Sequence, residues 1–450
     1  MLSQTLTIAR NAFVESIRQP IFFVLVLVCG IIQVFLTWST GFSMGYSDTS
    51  EVSADNKLLL DLGLSSVFVC GMLLSAFLAT AVVSREIENK TVLTVVSKPI
   101  PRPVLIVGKY IGVAGSIGIA IGLMVIFLLL AVRHGVMSNA SDDLDGPVLL
   151  FTFIAVAIAL GLALWTNFFY GWYFTQTSMV ILLPAMIVAY GLVLVLNKKW
   201  EWQSPVVDLK PQIVFACTAV GIALLVLTSL ATAVSTRLGQ VMTIVVCAGS
   251  FLFGLLTNQA LGRHVFTNEH VARVKSATAM GDTKTPLTTA GDTYAVAFRV
   301  PPKRTIHVGD AFYFSSAPNG FPMAVENFPP FGGDLSKDGA ILGSPDAGLV
   351  ITEVQPEGVT VRRAGPTALR VDRAPAADDY VFLAPTRANV PALVAWAVLP
   401  NFHDFWFVDA ISQNQPVPAS HMLKVSLYGL GYIVAFLSLG VVLFQTRDVG

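Results

Sequence analysis

Charge is what this chain has least of: 12% of its 450 residues are Asp, Glu, Lys or Arg, about half the share usual in soluble domains. That deficit, with 54% apolar residues, excludes a water-soluble globule. The 28 basic and 28 acidic residues cancel, so no global field exists to hold nucleic acid or gather cations. Cys29, Cys70, Cys217 and Cys247 all fall inside apolar runs, which leaves no cysteine for a disulfide framework or zinc cluster in the polar parts. Catalytic signatures are missing as well. The chain has no G-x-x-x-x-G-K-[ST] phosphate loop, no H-E-x-x-H and no G-x-S-x-G, the patterns that cradle phosphates, hold zinc or present a nucleophilic serine. His134, His264, His270, His307, His403 and His421 lack metal-ligand spacing. His264 and His270 with Glu269 are the nearest approach to a metal set, and histidines solvated beside a membrane explain them better. No cofactor or metal is expected on this chain.

What the sequence does have is long apolar runs. A span needs about 20 residues to cross about 30 Å of hydrocarbon, and stretches 21–40, 58–83, 104–132, 147–166, 179–196, 212–234, 240–258 and 423–444 qualify. The expected fold is an α-helical polytopic membrane protein of about eight spans, six to eight if the fourth and fifth form a re-entrant pair, with an outer β-rich domain inserted before the last span. Asp61 and Lys109 belong near span ends, and no span carries a central ionisable residue. This disfavours proton-coupled transport and voltage sensing. The first run is too long for a signal peptide and no A-x-A site follows it, so it is read as a retained span.

Arg10, Arg18, Arg85, Lys90, Lys98, Arg102, Arg237 and Arg447 fall on one side of this topology; Lys57, Arg133, Lys198, Lys199 and Lys210 fall on the other. The positive-inside rule then places both termini in the cytoplasm. Expected divisions are 1–261 for the membrane domain, 262–390 for the outer domain, 391–422 for interfacial or re-entrant helices, and 423–450 for the last span and tail.

Leu2, Leu6, Ala9, Phe13 and Ile17 share one helical face, which predicts an amphipathic helix along the inner membrane surface, ending at Pro20. Between the second and third spans, Ser84 can cap a helix with Glu86 and Glu88 in its first turn, and Pro99, Pro101 and Pro103 end it. Such an element is either a lever stiffly joined to two spans or a solvated positive-inside loop. Gly108, Gly112, Gly115, Gly118 and Gly122 form a ridge on the third span, which marks close approach to another helix, within the protomer or across a dimer.

Segment 262–420 holds most of the chain's 24 prolines, which excludes a helical bundle. Strands are predicted at 294–300, 305–314, 348–354, 358–363, 369–371 and 380–383, with Gln355-Pro-Glu-Gly358 as a hairpin turn. The stretch 267–279 reads as a helix capped by Asn268. Trp396, Phe402, Phe405, Trp406 and Phe407 suggest an interfacial belt or packing beneath the β domain.

Residues 84–112 resemble a known family. Arg85-Glu86-x-Glu88-x-x-Thr91, then Ser97-Lys98-Pro99, Arg102 and Gly108-Lys109, are similar to the segment between the second and third spans of type 2 ABC transporter permeases. Segments 230–239 and 444–449 agree. The resemblance implies a permease without ATPase activity of its own. Its partners would be a second permease copy or homologue and separate ABC ATPase subunits that bind ATP and Mg. It makes 85–97 the coupling helix, with Arg85, Glu86, Glu88, Thr91, Lys98, Pro99 and Arg102 meeting the ATPase, in a bacterial inner membrane. The chain departs from that family's usual six spans by two, between 147 and 234, and in the size of its outer domain. Two functions therefore remain open: an exporter subunit, and a mechanical or assembly subunit whose outer domain engages an envelope protein.

Overall fold

A computed structural model of the chain describes residues 2–40, 51–84, 101–137, 144–266, 268–281, 287–320, 323–334, 337–408, 411 and 417–445, without the side chains of 51–55. The principal helices are α1 (Leu2–Arg18), α2 (Pro20–Ser39), α3 (Glu51–Ala79, continued by a π turn at Thr80–Ser84), α4 (Arg102–His134), α5 (Gly146–Tyr170), α6 (Phe174–Val195), α7 (Pro211–Val234), α8 (Gln240–Thr257), α9 (Val390–Val398) and α10 (Ala419–Gln445). Two compact units are present, Met1–Leu255 with Pro400–Gly450, and Leu256–Leu399.

In the first unit, proline opens α2, α4, α5 and α7, where its missing N–H costs nothing because first-turn donors have no intrahelical partner. Asp145 caps α5 by accepting from Val148 N at 3.2 Å. Gly171, at φ 64°, turns the chain from α5 into α6, a conformation that would strain a side chain. Eight helices among the described residues are long and apolar enough to cross a membrane. Those matching the fourth and fifth predicted spans have 25 and 22 residues, about 37 and 33 Å of helix, so each is long enough to cross fully and both stand among the eight candidate spans of the described residues.

α3 and α7 form the centre, with 78% and 67% of their apolar windows buried against 22% for α5 and 33% for α6. The α5–α6 hairpin is thus peripheral, held to its own pair by the small stripe Ala155, Ala159 and Ala163. Elsewhere small residues also set the packing: a Cβ on Gly71 would lie 2.5 Å from Leu224, and one on Gly440 3.0 Å from Ala233. In the middle, Thr228 Oγ1 donates to Ser75 Oγ at 2.9 Å, joining α7 to α3. Phe402 and Phe405 are buried in the bundle, with Phe402 at 5.9 Å from Phe251 and 6.2 Å from Phe68 between ring centroids.

The glycine ridge receives α1. A Cβ on Gly108 would meet Ile8 at 2.9 Å, one on Gly112 the carbonyl of Ala9 at 2.3 Å, and one on Gly115 the ring of Phe13 at 3.3 Å. Successive turns of α1 therefore meet successive turns of α4, and α1 runs lengthwise along the start of α4 instead of crossing it flat. Its Ala9, Ala12 and Ser16 are buried while Leu2 and Leu6 stay exposed. Gly118 meets nothing within 4 Å, and Gly122 only Leu183, at 3.8 Å.

Aromatic side chains mark two levels. Trp165, Phe168, Phe169, Tyr170, Trp172 and Tyr173 are exposed around the α5–α6 turn, where the Arg18 guanidinium lies 4.3 Å from the Tyr173 ring centroid. Trp38, Trp200 and Trp202 are exposed at the opposite end. Rings of this kind settle at headgroups. α4, at 33 residues, is about 50 Å long, so the turns beside α1 project beyond the hydrocarbon.

The second unit is a six-stranded antiparallel sheet of order β3-β6-β1-β2-β5-β4, with β1 Ala272–Met280, β2 Thr293–Phe298, β3 Tyr313–Ser315, β4 Gly348–Gln355, β5 Gly358–Ala364 and β6 Tyr380–Phe382. Period-2 burial on β2 puts Tyr294, Val296 and Phe298 into the core, with Phe314, Leu349, Ile351, Val361 and Phe382. The Gln355–Gly358 hairpin forms as expected, closed by the pair Gln355 and Gly358. Glycine is required there because a Cβ would lie 2.4 Å from Val296 O. Arg363 is 1% exposed, its guanidinium donating to the carbonyls of Ala364 and Thr367, and burial pushes its pKa down.

Three local expectations fail. The segment expected as a helix over 267–279 is largely β1, paired with β2 and β6; ladder hydrogen bonds to distant strands outweigh its local helical preference. Of the strand expected over 305–314, Tyr313 and Phe314 form part of β3 and Ala311 adds an isolated bridge to Val350, and 369–371 contributes one bridge, Val325 to Val371.

At the far end of α4, Arg133 Nη1 donates to Asp145 Oδ2 at 2.8 Å and Arg133 Nε lies 2.8 Å from Asp208 Oδ2. Asp145 is fully buried there. Truncating one partner of such a pair strands the other charge. Arg133→Ala should cost about 3–5 kcal/mol, read as a lowered melting midpoint of purified protein in detergent; an unchanged midpoint contradicts the latch. Gly112→Ala, which forces a methyl into the Ala9 backbone, should destabilise by about 1–3 kcal/mol. Gly118→Ala, facing open space, should leave the same midpoint where it was.

Candidate functional site

The segment that carries the chemistry implied by sequence, Arg85, Glu86, Glu88, Thr91, Lys98 and Pro99, lies outside the described residues. Its two anchors are described. α3 ends in the π turn Thr80–Ser84 and α4 begins at Arg102. Lys109, 5% exposed, donates from Nζ to Val82 O at 2.6 Å, so a buried ammonium ties the third turn of α4 to the wide turn ending α3. π turns release carbonyls from the regular ladder, and this one meets a charged donor. A charge-assisted bond of this kind is roughly twice as strong as a neutral one.

Arg102 Nη1 donates to Gln445 O at 2.7 Å, and its guanidinium lies 5.9 Å from the Phe444 ring centroid. Arg237 Nε donates to Leu443 O at 2.9 Å, and Ser84 Oγ to Leu238 O at 3.4 Å. Val83, Leu105, Ile106 and Phe444 pack into one apolar cluster with Ile8 of α1 against it. The ends of α3, α4 and α10, the turn after α7 and the helix α1 are thereby fastened into one block. Of the site residues read from sequence, the block contains Arg102, Gly108 and Gly112; Gly115 also contacts α1, whereas Gly118 and Gly122 lie beyond it on α4. Sequence reasoning placed Lys109 near a span end but missed its bond, and it did not single out Ser84 or Arg237 for this contact.

At the other half of the bundle is a cleft of about 650 Å³ between α2, α4 and α5. Leu27, Val34, Phe35, Phe127, Val148 and Phe153 give it an apolar wall. It extends from Leu27 to Trp38 on α2, about 16 Å along the axis, or half the hydrocarbon thickness. Polar side chains that line it include Gln33, Thr37, His134 and Thr152. Gln33, 1% exposed, donates from Nε2 to Gly63 O and to Ser66 Oγ, both at 2.9 Å. Its Oε1 and the buried Thr152 Oγ1 have no hydrogen-bond partner among the described residues. Unpaired buried acceptors are uncommon and costly. No sequence signal announced this cleft, because one wall comes from α2 and the others from α4 and α5, far from it along the chain. Among the described residues there is no cluster of His, Cys, Asp or Glu able to hold a metal.

No curated protein and no solved structure matches the chain. Residues 6–168 match the family model described as ABC-2 family transporter protein, a stretch running from α1 to the end of α5. The match bears out the resemblance read from residues 84–112: over those five helices, this multi-pass membrane chain is similar to the ABC-2 family transporter domain.

Proposed function

We propose that the chain is the permease subunit of an ATP-driven exporter, moved by separate ATPase subunits and working as a dimer with a second copy or homologue. The similarity of residues 6–168 to the ABC-2 family transporter domain supports an ABC transporter membrane subunit; direction, coupling and cargo go beyond it. One observation supports coupling above others: both anchors of the 85–100 segment are fastened into the same block, through Lys109 to Val82 and Arg102 to Gln445. A push on that segment is therefore received by α3, α4, α10 and α1 together. Glu86 and Glu88 would present carboxylates to the ATPase, with Arg85, Thr91, Lys98, Pro99 and Arg102 around them. This end is assigned to the cytoplasm of a bacterial inner membrane, with both termini, in keeping with the lysine and arginine bias.

The cargo is assigned to an amphipathic molecule with an apolar tail. Support comes from the lateral cleft, which is apolar, open toward lipid and furnished with unpaired oxygens at Gln33 and Thr152. The outer sheet domain leaves the assembly reading as the alternative, in which it engages an envelope protein without transport.

Co-expression with its partner ABC ATPase should yield a complex whose hydrolysis depends on this chain. In that complex Glu86→Lys or Glu88→Lys should reduce stimulated hydrolysis at least about tenfold, a charge reversal across a contact costing several kcal/mol, with membrane insertion retained. Stimulation equal to the parent's rules out coupling through 85–97. The four native cysteines are buried, so a single Thr152→Cys label reports on the cleft. It should be quenched by brominated lipid and react slowly with a membrane-impermeant maleimide; rapid aqueous labelling would show that water, not lipid, fills the space.

A further inference from the structure

The base of the sheet unit carries a pocket that transport, as read above, does not use. It measures about 660 Å³ and is lined by Arg263, His264, Glu269, His270, Lys303 and Asn389, among others. Lys303 Nζ donates to His270 Nε2 at 2.7 Å, and His270 Nδ1 donates to Pro318 O at 3.3 Å. Arg263 Nε donates to His264 Nε2 at 3.1 Å. Among the described residues neither Arg263 nor Lys303 is paired with a carboxylate. Among the described residues that line the pocket, Glu269 is the acidic one. Two cations with spare donors, each with a histidine ring nitrogen and no carboxylate as its neighbour, suit an oxygen-rich anion.

Location selects the anion. The span running through α8 to Val265 has 26 residues, about 39 Å of helix against about 30 Å of hydrocarbon, so Arg263 and His264 emerge at headgroup level. α9 is tied to that level: Asn389 N donates to Val265 O at 2.7 Å, and Phe266 bridges to Ala388. α9 buries none of its nine residues. Val390, Val394 and Val398, one turn apart, are 64%, 58% and 65% exposed, and form a single apolar face. Water is a poor neighbour for that face, and an acyl layer is a good one.

We propose that the base of the sheet unit is a binding site for an anionic phospholipid. Arg263 and Lys303 take the headgroup phosphate, and α9 seats its valine face among the acyl chains. The site needs a bilayer but not the ATP-coupled reading, so either can fail without the other.

Native mass spectrometry of the full-length protein, titrated in detergent with phosphatidylglycerol, phosphatidylcholine or inorganic phosphate, tests it. The parent should bind phosphatidylglycerol in preference to phosphatidylcholine. A cation near an anionic surface is worth about a fivefold change in affinity, so Arg263→Ala with Lys303→Ala should weaken phosphatidylglycerol roughly 25-fold. Arg263→Lys with Lys303→Arg should retain binding, which separates lost charge from lost folding. Glu269→Gln should tighten it, and Val394→Asn should weaken it without affecting inorganic phosphate. Equal binding by parent and double alanine variant overturns the site. Inorganic phosphate binding as tightly as the lipid, with no effect of Val394→Asn, overturns the lipid assignment in favour of a free-anion site.

Discussion

Helices surrounded by hydrocarbon gain nothing hydrophobic by touching, since lipid tails are as apolar as leucine; what holds them is how closely their backbones can approach. Every major helix contact described above obeys that constraint. Gly112 admits the Ala9 carbonyl, Gly71 admits Leu224, Gly440 lies against Ala233, and Ala155, Ala159 and Ala163 line the α5–α6 seam. Polar bonds then fix register where small residues have allowed approach, as with Thr228 to Ser75 and Gln33 to Gly63. The packing is tight where residues are small, and it leaves a cleft where large side chains such as Phe127 and Phe153 face each other across α4 and α5.

The same constraint explains how force could be carried. α4 holds Arg102 and Lys109 at one end and Phe127, Arg133 and His134 at the other, within a single helix of 33 residues. Its early turns are clamped by α1, α3 and α10, so displacement of the block tilts a stiff rod, not a loop. On the proposed reading, the cleft wall at Phe127 and the Arg133 latch are the distal end of that rod. No chain of side-chain rearrangements is required, since a packed helix moves as a body.

Much of this was legible beforehand, for physical reasons that differ by element. The eight spans were readable because hydrocarbon thickness imposes a run length that few soluble segments reach. The 355–358 hairpin was readable because turn chemistry is local. β1 was not: Ala272-Arg-Val-Lys-Ser-Ala-Thr suits helix or strand, and its ladder partners lie on β2 and β6, as far away as Val381. The glycine ridge told that a helix would come close, but not which one. That α1 would be the occupant depended on Ala9, the smallest member of its apolar stripe, and on Ala12, which sits beside that stripe. The Lys109 bond to Val82 was hidden because a π turn leaves no mark in composition.

The peripheral hairpin bears on the cleft itself. Of the helices between 147 and 234, α7 is two-thirds buried and central, whereas α5 and α6 are 22% and 33% buried and peripheral. α5 supplies Val148, Leu149, Thr152, Phe153 and Val156 to the cleft; without it, the Gln33 and Phe127 faces of α2 and α4 would be an open lipid-facing surface. Asp145, at the head of α5, and Asp208, in the loop after α6, are also the two carboxylates that latch Arg133. The hairpin thus contributes both the third wall and the closure of the cavity, while the block at the other end of α4 is built without it. The two ends of α4 therefore depend on different partners, so a substitution in the hairpin alters the cleft and leaves the block's own bonds, Lys109 to Val82 and Arg102 to Gln445, in place.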